Sequence, residues 1–554
     1  MVATVVDPYM QEAFPLLTEE EMESLKPYAS CEHYEDDELV FTSGQPDIDM
    51  FVIREGMLEI INTHDGDEVL YQHEPGSFSG DIDLLTRRPV NVSAKARGKT
   101  YLMRIRNEQL REVLQKMPHI SEILLNAFQL RRSILEKSSK LGLKVIGYPT
   151  CSDTTTVREF LHKNFVPFVF YDVTTEEGKR VQTALGAPDT YPSVECRDGT
   201  LLVRPTLNDI ARGAGIWRHC PAGPVDLLVI GAGPAGITSA VYAASEGLST
   251  LVVDRLGPGG QAGGSSKIEN FIGFPCGLSG TELSTRGILQ MLKFGAQLAA
   301  PVSVKKLSRS KDGTKIDVMM DCGSVVQTRV ALISAGVQWK KLAAKNAYKY
   351  ERAGVYYACT SVEALLHDHQ DVAVVGGGNS AGQAAMYLAN CCPTRRVHLI
   401  VRGTLGPSMS EYLHTRIMAE KNIDIYEGTE ITEVHGDMNI RTMTIHSKEK
   451  GTFDLPAAAV FVFIGSEPAH PWIPEEIARD DRGFLLTGAD ALNSGLWPLK
   501  DRVPCQLETS MPGVLAAGDV RSGTTKRVGF AVGDGSLAVS CVHNLLTIAT
   551  PQVV

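Results

Sequence analysis

The sequence contains no uninterrupted apolar run of about 18 residues, which excludes a helix that crosses a bilayer. Its start, Met1-Val-Ala-Thr-Val-Val-Asp-Pro8, has neither the basic stretch nor the apolar core of a secretory leader, so the expected location is the cytoplasm. Basic residues are in deficit. With 54 Lys and Arg against 65 Asp and Glu, the net charge of −11 opposes nucleic acid or an anionic membrane as the main partner. The 11 cysteines are scattered, odd in number and never spaced C-x-x-C, so neither a disulfide framework nor a metal site is expected. What remains, 43% hydrophobic and 21% charged residues over 554 positions, is globular and too long for one core; roughly three or four domains are predicted.

The stretch Val225-Asp-Leu-Leu-Val-Ile-Gly-Ala-Gly-Pro-Ala-Gly-Ile237 runs from an apolar strand into G-x-G-x-x-G and then an Ala-rich helix. Gly231 allows the turn, Gly233 lets backbone approach a pyrophosphate, and Gly236 lets helix pack close to strand. With Pro234 and Ala235 these residues form a phosphate cradle at a helix N-terminus. A second strand, Ser249–Val253, ends on Asp254, an acid placed to accept a ribose hydroxyl. The unit recurs at Asp371-Val-Ala-Val-Val-Gly-Gly-Gly-Asn-Ser-Ala381, where Gly376, Gly378, Asn379, Ser380 and Ala381 form the cradle. Its second strand ends on Arg402, which suits the 2′-phosphate of NADP rather than a free ribose. Two such sites, one of each kind, point to FAD and a nicotinamide working together, with NADPH favoured and NADH allowed.

Between Glu38 and Ile105 the pattern changes to short β-type runs (Leu39–Phe41, Met50–Ile53, Leu58–Ile61, Val69–Tyr71) punctuated by Gly44, Gly56, Gly66 and Gly76, which predicts a sandwich or small barrel. Apolar residues at helical spacing follow over Ser121–Lys140. Phe51-Val-Ile-Arg-Glu-Gly56, Pro75-Gly-Ser-Phe-Ser-Gly-Asp81 and Asp83-Leu-Leu-Thr-Arg-Arg-Pro89 give residues 15–138 a resemblance to the cyclic-nucleotide-binding domain, a β-roll with flanking helices. In that family a glutamate takes the ribose 2′-hydroxyl and an arginine pairs with the phosphate. Asp81 stands at the glutamate position and Val90 at the arginine position, so the strongest anion contact is missing. Gly80, Asp81 and Arg88 are the residues left to meet a regulatory cyclic nucleotide; a docking domain without ligand is the leading expectation.

Residues 142–217 read β-α-β-α-β-β-α, an order that resembles a glutaredoxin or thioredoxin fold. Cys151 stands where that family has its nucleophile at a helix N-terminus, and Tyr191-Pro192 where it has a cis-proline. The row Cys151-Ser-Asp-Thr154 lacks the second cysteine, so dithiol exchange cannot complete inside it.

From Val225 onward the chain resembles low-molecular-weight thioredoxin reductases. The similar segments are Gly259-Gly-Gln-Ala262, Ile268-Glu-Asn-Phe-Ile-Gly-Phe-Pro275, Ser334-Ala-Gly336, Val460–Gly465, Pro512-Gly-Val-Leu-Ala-Ala-Gly-Asp519 and Lys526-Arg-Val528. The resemblance implies two Rossmann-like domains, an FAD domain of 225–341 and 468–554 with an NADP domain of 342–467 inserted, and a homodimer. It adds Gly260, Gln261, Asn270, Gly336, Gly518, Asp519, Lys526, Arg527 and Val528 to the FAD contacts. The family's C-A-T-C motif, with its following Asp, falls on Ala358-Cys359-Thr360-Ser361-Val362, which lacks both cysteines in register and the acid. An FAD-dependent NAD(P)H oxidoreductase is expected, passing electrons to a quinone, oxygen, or an iron–sulfur or thiol protein. Cys359 or Cys151 acting on a partner disulfide, and a non-catalytic flavin redox sensor, are the alternatives. The adjacent Cys391-Cys392 is expected to be ordinary buried cysteine.

Overall fold

The structure, a computed structural model, describes residues 8–63, 68–137, 142–149, 151–217, 220, 223–311, 313–437, 439–468 and 470–548. The end of the chain, Ala549–Val554, Gly66 among the expected turn glycines, and the residues after Lys137 in the helix expected to reach Lys140 lie outside them.

The first sheet combines β1 (Ser30–Tyr34), β2 (Leu39–Phe41), β3 (Met50–Asn62), β4 (Glu68–His73) and β5 (Ser93–Ile105). Its order is β1-β5-β3-β4 with β2 also on β5, all antiparallel. Two runs read separately in the sequence, around Phe51 and around Leu58, are one long strand. Gly56, expected to make a turn, lies within a bulge instead: its φ is +81°, and the register against β5 shifts between Ile53 and Glu55 and again between Glu55 and Met57. A Cβ there would lie 2.5 Å from the Thr100 hydroxyl. Helix α1 (Pro118–Lys137) packs its Leu124, Ala127 and Phe128 into the core of this roll.

The middle unit has strands β6 (Leu143–Gly147), β7 (Phe168–Asp172), β8 (Ser193–Glu195) and β9 (Leu201–Val203) in the order β7-β6-β8-β9. Strands β6 and β7 are parallel, joined by helix α2 (Ser152–Lys163), and the rest pair antiparallel. Thr206 opens the closing helix with a reciprocal capping box to Asp209.

The third unit is a doubly wound sheet. β10 (Val225–Ile230), β11 (Thr250–Val253) and β12 (Gln297–Ala299) run parallel, with helix α3 (Pro234–Ser245) between the first two and α4 (Gly280–Lys293) before the third. Antiparallel β13 (Val304–Arg309), β14 (Ile316–Met320) and β15 (Val325–Ile333) complete the order β12-β11-β10-β15-β14-β13. The inserted unit has its own parallel sheet of β16 (Val355–Tyr356), β17 (Val372–Val375), β18 (Val397–Ile400), β19 (Ile423–Tyr426) and β20 (Ala459–Val462), in the order β16-β20-β17-β18-β19, with α5 (Asn379–Cys391) after β17. Every residue of β17, β18 and β20 is buried, as expected of central parallel strands. The chain then returns with β21 (Val514–Ala516), parallel to β15, and closes with α6 (Val528–Ile548) against α3.

Candidate functional site

At its first and third glycines the cradle is packed too closely to admit any side chain. Gly231 has φ +107°, and a Cβ there would lie 2.5 Å from the Ser334 carbonyl oxygen. One on Gly236 would lie 1.9 Å from the Gly231 carbonyl oxygen, so α3 seats directly on the turn. Gly233 is the N-cap residue of α3, Pro234 occupies its first turn, and no side chain caps the end. A Cβ on Gly233 would meet only the Gly260 Cα, at 3.8 Å, so the helix N-terminus stays open to an anion. These features fit a dinucleotide pyrophosphate.

Asp254, expected at a ribose, also holds the loop around it. One carboxylate oxygen accepts from Ala232 N–H at 2.8 Å and the other from the N–H groups of Leu256 and Gly257 at 2.9 Å. On the other side of the cradle, Gly518 comes close enough to α3 that a Cβ there would touch the Ala235 methyl at 3.0 Å. Asp519 beside it is half-buried. Burial raises its carboxyl pKa, and the Lys526 charge opposes that shift. Lys526 donates to Ser466 Oγ at 2.9 Å and sits 4.3 Å above the Phe484 ring.

Sequence reasoning missed the supports of this wall. Asp534 on α6 accepts both Arg521 Nε and Nη2 at 3.0 Å and the Gly518 N–H at 3.0 Å. Ser239 Oγ of α3 donates to Gly535 O of α6, and a Cβ on Gly535 would lie 2.4 Å from Ala235 O. His470 Nε2 lies 2.9 Å from the Gly336 carbonyl oxygen, where the chain crosses between units. An acid and a glycine in one apolar helix, Asp534-Gly535, were the available signal. Asn270 is exposed, on a loop where Phe271 and Phe274 stack and Ile272 is 92% exposed.

The second cradle repeats the first. Gly376 has φ +145°, and its Cβ would lie 2.5 Å from Phe463 O. Gly378 is the N-cap residue of α5, and Ala381 is fully buried behind it. The Asn379 side chain exchanges hydrogen bonds with Ser410, and Ser408 Oγ donates to Gly377 O, so the loop through Ser408 and Ser410 flanks the glycines. Arg402 is exposed just beyond β18.

The segment in register with the lost dithiol packs against the third unit. Cys359 bridges to Ser265, and a Cβ on Gly264 would lie 3.4 Å from the Ala358 methyl. Arg416 reaches across the same boundary to Glu269 at 3.2 Å. Cys359 is 5% exposed in the apolar core with Tyr356 and Leu388, and burial, then Glu363, push its thiol pKa well above the usual range. Cys151 is partly exposed at the N-cap of α2, and Tyr191-Pro192 is cis. The expectation for Cys391-Cys392 is half corrected. Cys392 is buried, whereas Cys391 is exposed because it is the last residue of α5. Asp368, His369 and Cys392 bring their ligating atoms within 4.8 Å of one another, a juxtaposition across two loops that the sequence did not signal.

The three residues expected to meet a cyclic nucleotide are engaged within the chain. Gly80 O accepts Arg131 Nη1 at 2.9 Å, Asp81 pairs with Arg132 at 2.7 Å, and Arg88 donates to Asn164 O. Burial raises the Asp81 carboxyl pKa to about 6 against the opposing pull of Arg132.

Residues 225–535, more than half of the chain, match the pyridine nucleotide-disulphide oxidoreductase family. The chain belongs to that family. Residues 31–117 match the cyclic nucleotide-binding domain. Among relatives, a 34.2 kDa protein in the rubredoxin operon of Clostridium pasteurianum is 30% identical over 315 residues, covering 57% of this chain and 94% of that protein. The thioredoxin reductase of Bacillus subtilis is 28% identical over 323 residues, covering 58% and 94%. The crystal structure of Lactococcus lactis thioredoxin reductase aligns with a TM-score of 0.52 at 24% identity, over 58% of this chain and 99% of that one, a likeness of fold. As a member of the pyridine nucleotide-disulphide oxidoreductases, the chain is an oxidoreductase whose cofactors are FAD and NAD(P)H.

Proposed function

We propose that this oxidoreductase draws electrons from NADPH and passes them to an acceptor outside its own chain, without an internal dithiol. The observation that carries the reading is Cys359. It has no partner cysteine in its motif, it is buried, and the residue turned towards Gly264 is Ala358. Bound FAD supplies the two-electron relay between a hydride donor and the final acceptor. The chain's own residues bind and orient. The α3 N-terminus and Gly231–Gly236 take the pyrophosphate, Asp254 the ribose, and Asp519 with Lys526 the opposite wall. Gly376–Ala381 and the α5 N-terminus take the nicotinamide dinucleotide, and the Arg402 guanidinium takes its 2′-phosphate. Partial desolvation lowers the Lys526 pKa, and the Asp519 carboxylate beside it opposes that shift.

The relative in a rubredoxin operon supports an iron–sulfur protein as one acceptor to try, beside a quinone and oxygen. The middle unit, with Cys151 at a helix start and a cis Tyr191-Pro192, is proposed as a glutaredoxin-like spacer. The test is anaerobic titration of the flavin-loaded protein with NADPH, then NADH, following bleaching near ~450 nm. Stoichiometric bleaching followed by reoxidation with a quinone or an iron–sulfur protein, but not with a protein disulfide, is the expected result. No bleaching by either nucleotide overturns the reading in favour of a redox sensor.

A further inference from the structure

The turn that ends α2 lies between the first and third units and is bonded to both. Asn164 is fully buried, and its amide donates to Phe160 O and, at 2.8 Å, to Leu256 O of the third unit. Gly257 allows this approach, since a Cβ there would lie 2.7 Å from Asn164 Nδ2. Leu256 and Gly257 in turn donate their N–H groups to Asp254. Lys163, one residue back, donates to Gly260 O at 3.3 Å, and Gly260 faces Gly233 in the cradle.

From the other side, the first unit grips the same turn. Arg88 donates to Asn164 O, and Arg132 Nη1 donates to Phe165 O at 3.1 Å. Arg197 of the middle unit reaches back to Pro89 O at 3.2 Å. Asp83, Arg88, Pro89, Asn91 and Arg132 meet Phe165 and Val166 with no room for a water molecule between them. Phe165 has φ +55°, a left-handed conformation that a bulky side chain adopts only when its surroundings hold it. Arginine contacts on two consecutive carbonyls, one buried and one partly buried, hold it.

We propose that the segment Gly80–Val92 of the first unit is an internal docking surface for the Asn164–Phe165 turn, and that Asn164 is a positioning residue for FAD, acting through the Leu256–Gly257 turn on Asp254. This rests on the reading of Asp254 as part of the FAD cradle. The β-roll then contributes to flavin retention without a ligand of its own. Its contact falls on the ribose side of the cradle, so it governs how tightly FAD is held rather than how fast the bound flavin is reduced.

The experiment titrates FAD into the full-length apoprotein, following flavin fluorescence, for the parent, Asn164→Asp and Arg88→Gln. Asn164→Asp replaces the donor with an acceptor facing Leu256 O, and a Kd for FAD raised about tenfold is expected. Arg88→Gln weakens one grip on the turn, and a rise of about threefold is expected. In both, the rate at which NADPH reduces bound flavin should stay within about twofold of the parent, because the contact lies away from the reacting ring. Should Asn164→Asp fail to fold, Arg88→Gln decides alone. FAD affinities within about twofold of the parent, or a parallel loss of NADPH affinity that marks general loosening, overturn the proposal. A parent that takes no FAD overturns the cradle reading as well, which separates the two failures.

Discussion

Arg132 and Asp81 pair at 2.7 Å in the interior of the N-terminal unit, and Asp83 shares the same guanidinium at 2.6 Å. The guanidinium is 3% exposed, so two carboxylates depend on one buried cation. Arg132→Met should destabilise this unit by about 3 kcal/mol, since removing one partner leaves buried charge uncompensated. Thermal unfolding checks this. In the parent, millimolar cyclic AMP or cyclic GMP should leave the midpoint unchanged, because the acid in register with the ribose contact is already paired.

Gly236→Ala should yield colourless protein. Its methyl would enter the Gly231 carbonyl at 1.9 Å and force α3 off the turn that forms the cradle. Gly533→Ala on α6 is the comparison. Nothing stands within 4 Å of its Cβ, so this change should keep the flavin and gain about 0.5–1 kcal/mol of helix stability. The absorbance ratio of flavin to protein separates the two.

Acid should weaken the N-terminal unit through His73. Its imidazole is buried beside Tyr71, and burial first, then the Arg131 charge, push its pKa down to about 3. The unfolded chain takes the same proton near pH ~6.5. Between these values the unfolded state binds the proton and the native state does not, so stability rises with pH. The contribution is complete above the unfolded value and is lost as pH falls towards 3. At pH ~5 the loss is about 2 kcal/mol. Chemical unfolding of the parent and His73→Gln across that window should show a shallower acid limb in the variant.

Arg402→Ala should raise the KM for NADPH about tenfold and leave that for NADH nearly unchanged, because only the former carries a 2′-phosphate for a guanidinium to pair with. Steady-state kinetics with both nucleotides decide it. Equal losses would assign Arg402 a purely structural part.

Cys359→Ser and Cys151→Ser should each leave NADPH-driven reduction of a quinone acceptor within about twofold of the parent. Cys359 is buried with its thiol pKa pushed up, so little thiolate is available at neutral pH. Loss of turnover in either variant would restore the disulfide chemistry of the family's other members.

Much of the reductase portion was legible from residues adjacent in the chain. A glycine that must adopt positive φ, a strand before it and a helix start after it are local demands, so Gly231–Gly236 and Gly376–Ala381 declare themselves. The bulge at Gly56 did not, because whether a glycine turns a strand or bends it depends on the partner strand, and β5 pairs across the site. Arg521–Asp534 and His470 at Gly336 escaped for a like reason: each joins segments that only the folded chain brings together. Cys391 and Cys392 share one sequence environment and differ in burial only through where α5 stops.

By itself, the sequence determined the class of chemistry, since dinucleotide cradles are built from short-range backbone geometry that only a few residues allow. The destination of the N-terminal unit was decided by tertiary structure. Asp81 and Arg88 are the residues the sequence leaves to meet a nucleotide, and in the fold Arg132 and Asn164, from other elements, engage them instead. A buried charge or carbonyl binds whatever partner the fold brings to it, and that partner is set by packing between units, which no local pattern records.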